Sequence, residues 1–172
     1  MSLGIRKISG PGAWPLAAVV DVRRTTGGSL AEAPAELLVH VGTATAPVHV
    51  RPFDDAHARL TLQRRLPLVP GDRLVLRDPG ARTILGGVRV LDVDPPELTR
   101  RGDGTRRAAT LAAMPDGGDP LGEIARRGAV RAEDLDRLGL AVPEDAVGVR
   151  RLGQWWVHEP VLGVWCERVR AA

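Results

Sequence analysis

Short apolar runs rich in Val and Leu recur along the first half of the chain, with turn residues between them. Two of these runs, residues 58–63 and 73–77, show the alternation that is typical of a half-buried strand. The pattern therefore predicts a mainly β fold in this half. The predicted strands, six or seven in number, are residues 17–23, 36–41, 43–51, 57–62, 73–77, 82–85 and 87–92.

We predict that these strands close into an antiparallel β-barrel spanning residues 10–97. An open sheet leaves unpaired N–H and C=O groups along its edge strands, and this stretch contains no helical pattern that would cover them. Residues 27–35 predict a loop between two strands. Residues 1–9 are interpreted as a tag and the end of a preceding domain.

The second half changes character at residues 98–104, which hold two arginines and two glycines without a hydrophobic period. This segment predicts a linker. Helical spacing begins after it, and Thr105 is the expected N-cap of a first helix that ends before residues 115–118.

Two further helices are predicted. Asp119 can cap the second, with Pro120 in its first turn. Residues 131–138 carry apolar side chains at helical spacing and predict the third, for which Gly139 serves as the C-cap.

A β-ribbon is predicted after the helices. Residues 147–157 alternate around Gly153 as two strands and a tight turn do, and residues 165–170 predict a final helical turn. Three helices followed by a β-ribbon is the order of a winged helix, so residues 105–172 are interpreted as a winged-helix domain.

The charge of the chain is modest. Its 172 residues include 24 basic and 21 acidic side chains, and 44% of the residues are hydrophobic, the balance of a soluble globular protein. Residues 1–96 hold 12 basic and 9 acidic side chains, whereas residues 97–172 hold 12 of each. The positive surplus therefore lies in the predicted barrel.

The sequence predicts a cytoplasmic protein without a membrane association. No apolar run approaches the ~20 residues that span a bilayer. The single cysteine, Cys166, has no partner for an internal disulfide, as expected in a reducing compartment.

Motifs for catalysis on phosphates or esters are absent. The single lysine, Lys7, is followed by Ile8, so there is no Walker-type phosphate-binding loop. Residues 27–31 approach the nucleophile elbow of hydrolases, yet no helix follows them. Asp92 and Asp94 precede two prolines and are interpreted as a strand end. We predict no catalytic residue in this chain.

A metal site is not predicted either. The four histidines, His40, His49, His57 and His158, lack the spacing of metal ligands. His40 is interpreted as a partly buried strand residue that is hydrogen-bonded to backbone.

A winged helix suggests DNA binding through its third helix, but that helix carries Glu133, Asp134 and Asp136, which would repel phosphates. Trp155 and Trp156 could stack on bases. Because adjacent strand residues point to opposite faces, we expect one of the two to lie in the core and the other to cover a helix.

Four segments, taken in order, resemble the third domain of the selenocysteine-specific elongation factor SelB: residues 40–44, 66–73, 76–80 and 86–96. More widely, the region is similar to domain III of EF-Tu, a six-stranded barrel, and residues 10–14 match the exit from its domain II. Residues 105–172 look like the first winged-helix module of the bacterial factor's C-terminal extension.

The resemblance implies a fragment of a translational GTPase. In that family a GTPase domain with its GTP and Mg precedes this region, so no cofactor and no enzymatic activity are expected in this chain. The implied partners are selenocysteyl-tRNA, the ribosome, the preceding GTPase domain of the same parent chain, and an mRNA hairpin bound through later modules.

The resemblance also implies a site. By similarity to EF-Tu, the barrel would contact the acceptor and T-stem backbone of the tRNA through phosphate and ribose contacts, which fix position without reading sequence. The candidate nucleic-acid-binding residues are Arg77, Asp78, Gly80, Arg82, Arg51 and Arg59.

Two other functions stay open at this point. One is a transcription regulator whose winged helix binds DNA. The other is a structural module that docks on a GTPase domain.

Overall fold

The computed structural model describes residues 16–171, so residues 1–15, including the EF-Tu-like segment 10–14, lie outside the described part. Six antiparallel strands form a closed barrel with the order β1-β4-β3-β2-β5-β6. The closed six-stranded barrel that the sequence predicts is confirmed. The strands are β1 (Leu16–Arg24), β2 (Glu36–Val41), β3 (Ala44–Pro52), β4 (His57–Pro67), β5 (Arg73–Asp78) and β6 (Thr83–Asp92).

The barrel interior is filled by one face of each strand. Along β3 the side chains from Ala46 to Val50 alternate between buried and exposed, and the buried ones join a single aliphatic core. Burial of this apolar surface is the main term that stabilises the barrel.

The two runs predicted as separate strands, 82–85 and 87–92, form the single strand β6 because Gly86 and Gly87 do not break it. They let the loop after β1 approach the strand closely. Thr25 N–H donates to the carbonyl of Gly87 (2.8 Å), and a Cβ on Gly86 would lie 2.2 Å from the carbonyl oxygen of Thr26.

The remaining elements form what we call the C-terminal unit, residues 103–170. Its elements are α1 (Asp103–Ala113), α2 (Pro120–Arg127), β7 (Ala129–Arg131), α3 (Ala132–Arg137), β8 (Val149–Leu152), β9 (Trp155–His158) and α4 (Glu159–Arg170). The three strands pair in the order β7-β9-β8. Ile124, Val130, Leu135, Leu140 and Val149 form its buried core. The element order fits a winged helix, and that assignment stays a prediction.

Sequence reasoning placed some helix ends correctly and others wrongly. The Asp119 side chain accepts from the N–H of Gly122 (2.9 Å), as a cap should. The predicted cap Thr105 is wrong: α1 begins at Asp103 after Gly102, whose left-handed backbone turns the chain into the helix. The short strand β7 was not predicted, and α4 is a full helix rather than one turn.

The adjacent tryptophans separate, as expected for neighbouring strand residues. Trp156 packs against the core of the C-terminal unit. Trp155 is 37% exposed, and the guanidinium of Arg131, its cross-strand neighbour, lies 5.0 Å from the ring centre.

The barrel and the C-terminal unit meet at four charges, which we call the charged junction: Asp21, Arg59 and Arg107, which are buried, and Asp92, which is half-buried. Asp21 points outward from β1, yet it is 0% exposed because α1 covers it. Arg59 binds both of its carboxylate oxygens, at 2.7 and 2.9 Å. Arg107 of α1 bridges Asp21 (2.6 Å) and Asp92 (2.5 Å). Two carboxylates and two guanidinium groups balance each other.

A second attachment holds the other end of α1. Arg23 of β1 donates to the carbonyl oxygens of Leu111 and Met114 and pairs with Asp116. Arg89 of β6 also pairs with Asp116. The last carbonyls of a helix lack partners within the helix, so a cation from the barrel satisfies them favourably. Helix α1 is therefore held on the barrel near its middle, through Arg107, and at its C-terminal end.

We expect Asp21→Ala to lower the free energy of unfolding by about 3–5 kcal/mol, because it leaves Arg59 and Arg107 buried without their shared carboxylate. Urea unfolding followed by circular dichroism measures this loss. The matched control is Asp136→Ala, which removes an exposed acid of α3 and should change stability by less than about 0.5 kcal/mol. Equal stabilities of the two variants would contradict the role of the charged junction.

A second pair of variants tests the close approach of the β1–β2 loop to β6. At Gly27, where φ is +88°, a Cβ would lie 2.2 Å from the carbonyl oxygen of Leu85. Gly27→Ala should cost at least about 1–3 kcal/mol. At Gly28 nothing lies within 4 Å of an added Cβ, so Gly28→Ala should be nearly neutral. Thermal unfolding of both variants decides, and a neutral Gly27→Ala would refute the packing argument.

Candidate nucleic-acid interface

Four of the six predicted site residues lie together in residues 77–82, the end of β5 and its turn into β6, which we call the basic turn. The Asp78 carboxylate accepts from the N–H groups of Gly80 (2.8 Å) and Ala81 (3.0 Å), so it orders the turn from within. Arg77 and Arg82 are exposed on either side of this carboxylate. Asp78 and Gly80 thus shape the turn, and the two arginines are its available cations.

The backbone of the basic turn is unusual at Arg82. Its φ is +58°, and among the described residues other than glycine it alone has a positive φ. Such a conformation is uncommon for a residue with a side chain and occurs mainly in turns. The turn therefore holds Arg82 in a defined position next to the start of β6.

Arg51 lies at the same end of the barrel as the basic turn. Neighbouring strands are antiparallel and β2 separates β3 from β5, so the C-terminal ends of β3 and β5 point the same way. Pro47 and Arg77 are both level with Leu38 of β2. Arg51 and Arg77 are therefore separated by two strand spacings across the sheet and by four residues along β3. Together these place their Cα atoms roughly 16 Å apart.

The structure does not leave Arg59 at the surface. Its side chain is 10% exposed, it is engaged by Asp21, and its Nη1 donates to the carbonyl of Pro96 (2.9 Å). The prediction of Arg59 as a nucleic-acid contact is at odds with this placement. Arg59 on β4 lies opposite Arg51 of β3, yet Arg59 is buried whereas Arg51 is exposed.

The two parts of the molecule use their arginines differently. Within residues 16–171, six arginines of the barrel are exposed and form no salt bridge: Arg51, Arg64, Arg65, Arg73, Arg77 and Arg82. In the C-terminal unit most arginines pair locally with Glu or Asp, as Arg126 and Arg127 do with Glu123. The barrel therefore carries more of the unpaired positive charge than the C-terminal unit does.

Three of the four histidines, His40, His49 and His57, pair with a neighbouring side chain. His40 is hydrogen-bonded to the hydroxyl of Thr45 (3.0 Å), not to backbone as predicted. The buried His57 faces Asp54 at 3.0 Å. Burial acts to raise the pKa of Asp54, but hydrogen bonds from the His57 ring and from two backbone N–H groups outweigh it and lower that pKa. No group of three or more potential ligands that could hold a metal occurs in residues 16–171.

A cleft of about 210 Å³ lies between the end of β6, α1 and α2. Its charged lining includes Asp92, Arg107, Glu123 and Arg126, and each of these is already engaged in an ion pair. The cleft is part of the contact between the barrel and the C-terminal unit. In the described part of the chain, no helix is long and apolar enough to cross a membrane.

Comparison with known proteins finds a family model that matches the barrel. The family described as "Selenocysteine-specific elongation factor, beta-barrel domain" matches residues 18–97. The selenocysteine-specific elongation factor of Escherichia coli (strain K12) is 29% identical over 140 residues, which are 77% of this chain and 23% of that protein. The chain thus spans about a quarter of the length of its curated relative.

A solved structure gives the same indication for the fold. The crystal structure of the bacterial selenocysteine-specific elongation factor EF-Sec superposes with a TM-score of 0.67 and 14% sequence identity, over 92% of this chain and 26% of that one. At this identity the likeness shows the fold. Together with the family match, it confirms the resemblance found in the sequence: residues 18–97 are similar to the β-barrel domain of selenocysteine-specific elongation factors.

Proposed function

We propose that this chain is part of a selenocysteine-specific translation elongation factor, and that its barrel holds the acceptor and T-stem backbone of selenocysteyl-tRNA for delivery to the ribosome at UGA codons. The observation that carries the proposal is the basic turn, where an internally ordered loop presents Arg77 and Arg82 without carboxylate partners. Planar guanidinium groups suit phosphate oxygens, which they can bind through two parallel hydrogen bonds.

The C-terminal unit acts in this proposal as a link between the barrel and a more distal mRNA-binding module of the parent protein. Its arginines are largely neutralised by local pairs, which fits a connecting role better than direct RNA binding. GTP and Mg would be bound by the GTPase domain elsewhere in the parent protein, and this chain would contribute tRNA contacts rather than chemistry.

The structure gives no support to a DNA-binding role for α3. This helix has only six residues, and its acidic side chains include Glu133 and Asp134. Both pair with Arg137, so the helix offers no free cation to a major groove.

We expect Arg77→Ala combined with Arg82→Ala to weaken binding of an uncharged selenocysteine tRNA transcript and to flatten its salt dependence. The slope of log Kobs against log salt should decrease by about 1.4–1.8, because two phosphate contacts are lost at about 0.7–0.9 each. Fluorescence anisotropy over a salt series from 50 to 200 mM measures this slope.

The control is Arg64→Ala combined with Arg65→Ala. These arginines are also exposed and unpaired within the described residues, but they lie toward the C-terminal end of β4, at the opposite end of the barrel. This variant should bind nearly as the unmodified chain does. Equal losses in both variants would indicate non-specific attraction, and absence of salt-sensitive binding would favour a structural docking module.

A further inference from the structure

The linker between the barrel and α1 runs along the surface of the barrel. At its start, Nη1 of Arg59 donates to the carbonyl of Pro96 (2.9 Å). At its end, a Cβ on Gly104 would lie 3.6 Å from Cδ1 of Phe53, which follows β3. Residues 97–103 therefore cross from the middle of β4 toward the turn that joins β3 and β4.

Arg100 and Arg101 occupy the corner of a tight turn within this linker. The N–H of Asp103 donates to the carbonyl of Arg100 (3.1 Å), and the N–H of Arg100 donates to the Asp103 carboxylate (2.6 Å). The hydrogen bond from Arg100, followed by that from the Arg106 side chain, lowers the pKa of Asp103, so the carboxylate stays charged. Both arginines are exposed on a backbone that is held in place.

Arg51 approaches the same region from the barrel. It is the direct cross-strand neighbour of Arg59, and such neighbours have Cβ atoms about 4.5–5.5 Å apart. The Arg59 guanidinium lies 5.8 Å from the centre of the Phe53 ring and is neutralised by Asp21. Arg59 and Phe53 thus form a floor between Arg51 and the linker turn.

Three of the carboxylates near this floor are already engaged. Asp54 binds His57, Asp55 accepts from the hydroxyl of Ser29, and Asp103 pairs with Arg106 at 2.6 Å. Within residues 16–171, neither Arg51 nor the two linker arginines form a salt bridge. Their charges therefore remain available to an external anion.

We propose that Arg51, Arg100 and Arg101, which we call the linker cluster, form a second phosphate-binding site for the backbone of the tRNA. The site takes phosphodiester groups, which guanidinium groups bind without reading sequence. It lies at the same end of the barrel as the basic turn, so one RNA surface would extend from residues 77–82 past the end of β3 to the linker. This inference rests on the proposed function and assigns a binding role to a segment that otherwise only connects two domains.

The test is Arg100→Ala combined with Arg101→Ala in the full chain, titrated with the uncharged selenocysteine tRNA transcript over the same salt series. Because two phosphate contacts are removed, the slope of log Kobs against log salt should decrease by about 1.4–1.8. The unfolding midpoint should stay unchanged, since neither side chain belongs to the charged junction.

The matched control is Arg168→Ala combined with Arg170→Ala, which removes two exposed arginines of α4 away from the barrel. It should leave the slope within error of the unmodified chain. A loss equal to that of the linker variant would overturn the proposal, because any two charges would then suffice.

The outcomes separate this inference from the proposed function. If the variant at Arg77 and Arg82 lowers the slope and the linker variant does not, the linker cluster is refuted and the basic turn stands. If the linker variant alone lowers it, the linker cluster stands and the basic turn fails. If the unmodified chain shows no salt-sensitive binding, both are refuted.

Discussion

The buried carboxylate of Asp21 is the interaction on which the arrangement of this molecule depends. It faces outward from β1, where a lone charge would normally remain in water, and it is tolerated because two arginines from different elements surround it. Removing one partner of such a set is costly, whereas the intact set adds little net stability. Its main consequence is geometric: α1 can lie against the barrel in only one register.

That register decides which surfaces remain free. Because α1 covers the outer face of β1 and β4, the side chains of Arg59 and Arg107 are buried and paired within the protein. Arg51, one strand away from Arg59, is left uncovered. The hydrogen bond from Arg59 to the carbonyl of Pro96 holds the start of the linker against β4. From there the linker carries Arg100 and Arg101 toward the end of the barrel that has the basic turn. The ion pairs around Asp21 thus determine which arginines remain exposed on the surface.

Much of the local structure could be read from the chain. The period of two over residues 58–63 predicts a strand with one buried and one exposed face, and Asp119 followed by Pro120 predicts a helix start. Both patterns could be recognised because each acts within a few residues. The predictions that were wrong concern positions where the local pattern did not decide the structure. Gly86 and Gly87 looked like a break, but they accommodate a loop from 60 residues earlier in the chain. Thr105 had a good cap side chain, yet the left-handed backbone of Gly102 starts the helix at Asp103.

By itself, the sequence determined the strands, the barrel and the family resemblance, since these follow from hydrophobic alternation, turn residues and short motifs that are contiguous in the chain. It also identified Arg77 and Arg82, which belong to one turn. Only the tertiary structure decided the burial of Arg59, the pairing of Asp21 with Arg107 across 86 residues, and the course of the linker past Arg59. The sequence shows which side chains are charged, but whether a charge is neutralised depends on which distant elements pack beside it.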